Sequence, residues 1–473
     1  MADAHSPMTD GPVAPAGTAP FAGRTVLVAG VGLAGDSAAR ALLAEGARVL
    51  LTDRVRAARV EALEEQGARF VGAGLDELPA GVDLLWVTPG MAPSNPLPVA
   101  ARAAGVEVIG EAELAWRLRG PSAAPWLAIT GTNGKTTTVR MLAAMLDAAG
   151  WRTAAVGNVG VSLIDAVRAG PRYDVLAVEL SSFQLYWSSS LRPAAGALLN
   201  LAPDHLDWHG AMDDYIAAKT KIWAGPVAIG NLDDPRVARL LSRAPGRRVG
   251  FTLGAPGAGE FGIVSDSLTD RAFAEWAEMI KATEIRPPGA HNAANALAAA
   301  ALARSFGAPA AAVAGGLRAF VPDPHRNQLV GVWDGVRYVD DSKATNPHAA
   351  AASLAAYRPV VWIAGGQLKG APVEELVVTH RSRLAGVVLL GVDRAVLAAA
   401  LARHAPDVPV VDVPRRDDGA MSEVVAAAIA LARPGDTVLL APAAASYDMF
   451  TNYAGRGDLF AAAVAAAHEP GAR

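Results

Sequence analysis

The chain reads as an α/β protein of three successive domains, and three observations predict it. Short apolar runs alternate with longer helical stretches from Arg24 onward, and 473 residues give several domains of ordinary size room to bury a core. Two breaks rich in proline, glycine and small residues, at 120–125 and 321–325, interrupt the pattern. They set the expected boundaries: a disordered tail over 1–22, then domains over 23–120, 121–322 and 323–473.

The first domain opens with a strand over 25–29 (Thr-Val-Leu-Val-Ala), a helix over 37–45 and a second strand over 48–51. Strands joined through helices run parallel. The rhythm returns at 126–130, followed by a helix to 149, at 175–179, and again at 359–364 and 437–440. One sheet could hardly hold all of these strands. No fixed short repeat is present.

Composition excludes several classes. With 42 basic and 46 acidic residues the net charge is −4, so the chain lacks the positive excess of a protein built to hold nucleic acid or anionic membrane. The hydrophobic fraction of 52% owes much to alanine runs such as 293–303, and no apolar run reaches the ~18 residues of a spanning helix. There are no cysteines, which removes disulfides, a thiolate nucleophile, cysteine-bound zinc and iron–sulfur clusters together. The first 22 residues have neither the basic start nor the apolar core of a secretory signal, so a cytoplasmic protein is expected.

The strongest motif is Gly131-Thr132-Asn133-Gly134-Lys135-Thr136-Thr137, after an apolar strand and before a helix. Such a turn aims successive backbone N–H groups inward, the helix start adds partial positive charge, and Lys135 reaches terminal phosphates. Thr136 then offers a hydroxyl to Mg²⁺. The usual spacing would put glycine at Ile129, so this is a shortened phosphate loop. Glu179, at a strand end, and His205, in Asp204-His205-Leu206-Asp207, are the candidate metal ligands of this part. Mg²⁺ needs only one carboxylate when waters and phosphates complete its shell.

Near the start, Gly30-Val31-Gly32-Leu33-Ala34-Gly35 links a strand to a helix, and Asp53 stands about 20 residues further on, as in dinucleotide-binding turns. NAD is one ligand of such a turn. A UDP-sugar carries the same pyrophosphate.

In order along the chain, Gly-Thr-Asn-Gly-Lys-Thr-Thr (131–137), Glu-Leu-Ser-Ser-Phe-Gln-Leu (179–185), Asp-His-Leu-Asp (204–207), His-Asn-Ala-Ala-Asn (291–295) and Asp-Ser-Lys-Ala-Thr-Asn (341–346) resemble the Mur ligases, the ATP-dependent amide ligases of peptidoglycan synthesis. The resemblance runs from residue 24 to the C-terminus. It implies a Rossmann-like first domain, a central ATPase-type domain with the phosphate loop and a Rossmann-like third domain. The stretches 339–346 and 441–457 are similar to the members that add D-glutamate to UDP-N-acetylmuramoyl-L-alanine.

On that resemblance Gly32, Leu33, Ala34, Gly35, Asp53, Arg54, Ser94, Asn158 and Ser181 would hold the UDP-muramoyl substrate. The loop 131–137, with Asn292, Asn295, Arg326 and Asp341, would hold ATP, and Thr136, Glu179 and His205 would bind one or two Mg²⁺. Lys219 matches the lysine that takes up CO₂ as a carbamate and so becomes a metal ligand. Lys343, Thr345, Lys369, Ser446 and Tyr453 match the group that receives D-glutamate, and His205 is a candidate base for its amine. Lys135, Glu179, His205, Lys219 and Lys343 form the implied catalytic set, in a monomer that takes neither nucleic acid nor membrane as partner. Three places depart from the family pattern: Gln367 before Leu368-Lys369, Asn327-Gln328 after His325-Arg326, and Tyr453 where phenylalanine is common.

Three rival readings stand beside this one. An NAD-dependent oxidoreductase leaves the Gly-Lys-Thr loop unexplained. A nucleotide-gated binding protein without chemistry has no use for Glu179, His205, Lys219 and Lys343. Another amide ligase of the superfamily, such as a folylpolyglutamate synthetase, fits the glycine-rich first domain and the 341–346 motif less well.

Overall fold

The computed structural model describes residues 20–120, 122–170, 172–417 and 419–469. The expected tail lies outside the described residues up to residue 19. Its last part does not behave as tail, because residues 20–22 turn into the first domain and Phe21 is 1% exposed in its core.

The first sheet has five parallel strands, β1 (Thr25–Ala29), β2 (Arg48–Asp53), β3 (Arg69–Ala73), β4 (Leu84–Val87) and β5 (Glu107–Ile109), in the order β3-β2-β1-β4-β5. That order places the chain reversal beside β1, so the glycine turn after β1 opens at the switch point where such sheets bind ligands.

The central sheet has nine strands: β6 (Trp126–Thr130), β7 (Ala155–Gly157), β8 (Leu176–Glu179), β9 (Ala195–Leu198), β10 (Val227–Asn231), β11 (Arg247–Phe251), β12 (Glu260–Val264), β13 (Ser267–Asp270) and β14 (Ala277–Lys281). Their order is β14-β13-β12-β11-β10-β9-β6-β8-β7, with β12 to β14 paired antiparallel. Strand β6 sits between β8 and β9, so the phosphate loop leaves the middle of the parallel part. Behind it the helices Lys135–Ala148 and Ala290–Ser305 pack together, and the alanines 296 and 298–301 of the second are wholly buried. Small side chains let the two backbones approach closely; this run is core rather than membrane span, and no described helix is long and apolar enough to cross a membrane.

The third sheet, β15 (Gln328–Trp333), β16 (Val336–Asp340), β17 (Val360–Gly365), β18 (Leu384–Leu390), β19 (Val410–Asp412) and β20 (Thr437–Leu440), has the order β15-β16-β20-β17-β18-β19 and is parallel except for its β15 edge.

The two interdomain seams differ in kind. Between the first and central domains, Glu113 is fully buried and accepts from the backbone N–H groups of Ser189 and Ser190 at 2.8 and 3.0 Å. Between the central and third domains the linker carboxylate Asp323 meets Arg140 at 2.8 Å, and Arg326 lies 3.8 Å from it; both arginines keep solvent contact.

Candidate active site

The phosphate loop is held in shape before any ligand arrives. Gly134 has φ +84°, and a Cβ there would lie 2.4 Å from Asn295 Oδ1, so glycine is required both for the backbone and for the space. Asn200 ties the loop from the side: its Oδ1 accepts from Asn133 N–H at 2.8 Å, its Nδ2 donates to Asn133 O at 3.1 Å, and its own carbonyl accepts from Thr132 N–H. Lys135, at the first turn of the helix Lys135–Ala148, curls back to donate to the carbonyls of Gly131 (3.0 Å) and Thr132 (2.8 Å). Burial pushes its ammonium below the ordinary lysine range, partly offset by Glu179 and Asp204.

Thr136 and Glu179 meet beside the loop. The Thr136 hydroxyl donates to Glu179 Oε2 at 2.8 Å, and Asn158 Nδ2 donates to Oε1 at 2.9 Å. This donor set suits Mg²⁺: a hydroxyl and one carboxylate oxygen at the edge of a phosphate loop leave the remaining positions to waters and phosphate oxygens. Among the described residues no three His, Asp or Glu side chains cluster as a metal cage.

Lys219 is a second lysine against the loop. It is 1% exposed, donates to Gly131 O at 2.8 Å and Thr130 Oγ1 at 3.3 Å, and lies 4.7 Å from the centre of the Tyr215 ring. Burial, helped by Lys135, drives its pKa well below the ordinary value. Tyr215 is fixed in turn by a 2.9 Å hydroxyl contact with Thr132.

His205 adopts a left-handed backbone (φ 54°), rests against the Phe183 ring at 4.8 Å, and has Nε2 3.6 Å from Asp204. Burial lowers its pKa, Asp204 opposing and Lys135 assisting. Lys135, Asn158, Ser181, His205 and Lys219 line one cavity of about 250 Å³, whose wall Pro89 completes from the first domain.

The remaining expected residues fall into three groups. In the first domain the glycine turn is tight: a Cβ at Gly35 would lie 1.9 Å from Gly30 O. Leu33 is 77% exposed at the helix start beside Gly32 and Ala34. Asp53 faces the turn itself, accepting from Val31 N–H and Arg54 N–H, each at 2.6 Å; Arg54 and Ser94 are exposed, and neither is part of the cavity wall.

Asn292 and Asn295 lie beneath the loop, joined by a 3.2 Å hydrogen bond, and both are buried. Of the third-domain set, Lys343 Nζ stands 4.0 Å over the Tyr453 ring, and burial beside Arg326 and Lys135 lowers its pKa to about 8. Asp341 accepts from Asn327 N–H at 3.1 Å and from the Ser353 hydroxyl, and burial raises its pKa to about 6. Thr345 follows Lys343 in a turn closed by its own N–H on Lys343 O, Ser446 is buried, and Lys369 is exposed on a left-handed residue (φ 52°). None of these three lines the cavity.

Sequence reasoning missed two contacts that join the third domain to the loop. Asn133 Nδ2 meets His348 Nδ1 at 2.8 Å, and Asn346 Nδ2 donates to Asn133 Oδ1 at 3.3 Å. Asn346 closes the quoted 341–346 motif, so that motif carried the signal; nothing in the sequence marks His348 or Asn200.

Three family models match in chain order: the Mur ligase MurD-like N-terminal domain over 24–110, the Mur ligase middle domain over 129–303 and the Mur ligase glutamate ligase domain over 325–444. The chain is 58% identical to a UDP-N-acetylmuramoylalanine–D-glutamate ligase of Thermobifida fusca over 461 residues, covering 94% of this chain and 98% of that relative. It is 50% identical to the protein of the same name from Mycobacterium avium, over 94% of this chain and 97% of that one. Among solved structures it resembles the UDP-N-acetylmuramate–alanine ligase of Thermotoga maritima, with TM-score 0.58 and 19% identity over 94% of this chain and 99% of that one, a likeness of fold. The three sheets, the phosphate loop in the middle one and relatives matched nearly end to end agree: the chain belongs to the Mur ligases, in the family of UDP-N-acetylmuramoylalanine–D-glutamate ligases.

Proposed function

We propose that the protein joins D-glutamate to the carboxylate of UDP-N-acetylmuramoyl-L-alanine at the expense of ATP, through an acyl phosphate, in the supply of peptidoglycan precursors. The observation that carries this reading is one cavity in which Lys135, Ser181, His205 and Lys219 meet, with Thr136 of the phosphate loop paired to Glu179 at the end of β8.

A carboxylate is a poor electrophile, and two anions must meet before it can be activated. A carboxylate oxygen of the muramoyl substrate attacks the γ-phosphorus, ADP leaves, and the D-glutamate amine then displaces phosphate from the acyl carbon as it loses a proton. Lys135 leaves its two carbonyls for the phosphates, Arg326 approaches from the third domain, and each neutralises charge as it develops. Mg²⁺, when bound by Thr136, Glu179 and His205, supplies further neutralisation and in-line alignment. Lys219 is suited to carbamate formation, since a buried neutral amine attacks CO₂ and the product offers oxygens where an ammonium offers none. When its ring nitrogen is not on the metal, His205, whose pKa burial lowers, is the base for the incoming amine. Lys343, beside Tyr453, holds the D-glutamate carboxylate. Asn292 and Asn295 support the adenine side, while Asp53 acts on the UDP moiety by setting the glycine turn.

The test is an amino acid panel with UDP-N-acetylmuramoyl-L-alanine and ATP, read by phosphate release. D-Glutamate is expected to be preferred over L-glutamate, L-alanine and diaminopimelate; equal rates would remove the assignment. Oxygen-18 placed in the muramoyl carboxylate should appear in the released phosphate, and its absence would rule out the acyl phosphate.

A further inference from the structure

Glu111 lies outside the cavity yet connects to it. It opens the helix Glu111–Arg117 at the end of the first domain and is 5% exposed. Three donors reach it, all from the central domain: Ser162 Oγ at 3.2 Å and Leu163 N–H at 3.3 Å on Oε1, and Gln184 Nε2 at 3.1 Å on Oε2. The other end of Gln184 holds Ser181, whose N–H and hydroxyl donate to Gln184 Oε1 at 2.9 and 3.1 Å. Ser181 lines the cavity.

The chemistry of this chain has one solution. An ionised carboxylate only accepts hydrogen bonds, whereas an amide has a donating end and an accepting end. With Glu111 on one side, Gln184 must turn its NH₂ toward the first domain, and its carbonyl oxygen is left for Ser181. A flipped amide would set donor against donor at the Ser181 N–H, in a place where an unmet polar group is costly.

We propose that Glu111 is a positioning residue: by fixing the orientation of the Gln184 amide it presents Ser181 to the UDP-muramoyl substrate, so the seam between the first two domains sets recognition of that substrate. This rests on the reading of the cavity given above. Glu113, two residues on, holds the same helix through Ser189 and Ser190 and makes no hydrogen bond to Gln184.

The experiment is steady-state kinetics on the full chain with UDP-N-acetylmuramoyl-L-alanine, D-glutamate and ATP. Glu111→Gln is expected to raise KM for the UDP substrate about tenfold, the worth of one buried hydrogen bond, and to leave KM for ATP unchanged. The exchange Glu111→Gln with Gln184→Glu restores a donor facing an acceptor and leaves carboxylate oxygens at position 184 to accept from Ser181, so KM should return toward the parent value. Glu113→Gln loosens the same helix, and should lower Tm without moving KM. The proposal is overturned by an unchanged KM in Glu111→Gln, by an equal rise in Glu113→Gln, or by a double variant no better than either single one. If Glu111→Gln is too unstable to purify, Gln184→Glu against the double variant gives the same comparison, and absence of rescue overturns the proposal. Failure of the unmodified protein to release phosphate with this substrate would instead strike the reading of the cavity itself.

Discussion

Two lysines converge on one carbonyl: Lys135 and Lys219 both donate to Gly131 O, at 3.0 and 2.8 Å. Only one of them is free to follow phosphate, since Lys219 is enclosed and Lys135 sits at the loop. Lys219→Ala should therefore abolish turnover while leaving nucleotide binding in place, and added short carboxylates should restore part of the rate by replacing the carbamate oxygens; an unchanged rate would dispose of the carbamate. Lys343 gives a pH dependence. Below about pH 8 it is a cation, and that charge is lost as pH rises through this value, so if Lys343 holds D-glutamate as proposed, kcat/KM for D-glutamate should fall above pH 8. Lys343→Arg should flatten that limb, arginine keeping its charge. Stability runs the other way: the unfolded chain keeps this proton up to about 10.5, so between 8 and 10.5 the unfolded state binds more protons and this residue's contribution to stability rises with pH. The placement of Lys135 and Thr136 at a strand-to-helix turn was legible because it is set by one local stretch of sequence. Asn200 and His348 were not, because each acts across sequence separations that no spacing rule covers.

At the scale of elements, the glycine turn of the first domain is the most constrained connection. Gly35→Ala would drive a methyl into Gly30 O, and relief of such overpacking costs about 1–3 kcal/mol, so a lower Tm and weaker UDP-substrate binding are expected together in thermal unfolding and kinetics. Strands β1, β6 and β20 were readable because each is a continuous apolar run bounded by turns, the pattern of a strand covered on both faces. The antiparallel end of the central sheet was not. In β13 (Ser-Leu-Thr-Asp) three of four side chains are polar yet buried, Asp270 being neutralised by Arg304 at 2.8 Å, so hydropathy gave no sign of a strand. The helix after β1 also begins earlier than its pattern suggested, at Leu33, because the apolar face starts only after the turn.

At the scale of the whole molecule the two seams are built from different contacts. The first seam is locked by buried carboxylates on backbone N–H groups, the kind of contact whose loss leaves unmet charge. The second holds by Asn133 against Asn346 and His348, and by a partly solvated ion pair. His348→Ala should increase the radius of gyration measured by X-ray scattering without nucleotide and raise KM for ATP, with the fold intact by circular dichroism; an unchanged scattering profile would show that this contact does not hold the domains together. The number of domains was readable from the composition of the linkers. Which contacts join the domains was not, because they depend on Glu111, Glu113 and Asp323 finding partners far away in the chain.

The linker pair has a consequence at high ionic strength. Partly solvated ion pairs of the Arg140–Asp323 kind contribute about 0–1 kcal/mol and weaken further in salt. Salt should therefore weaken this one contact while sparing the hydrogen bonds of Asn133 to Asn346 and His348, and a scattering profile that does not change between low and high ionic strength would show that those bonds alone keep the seam shut.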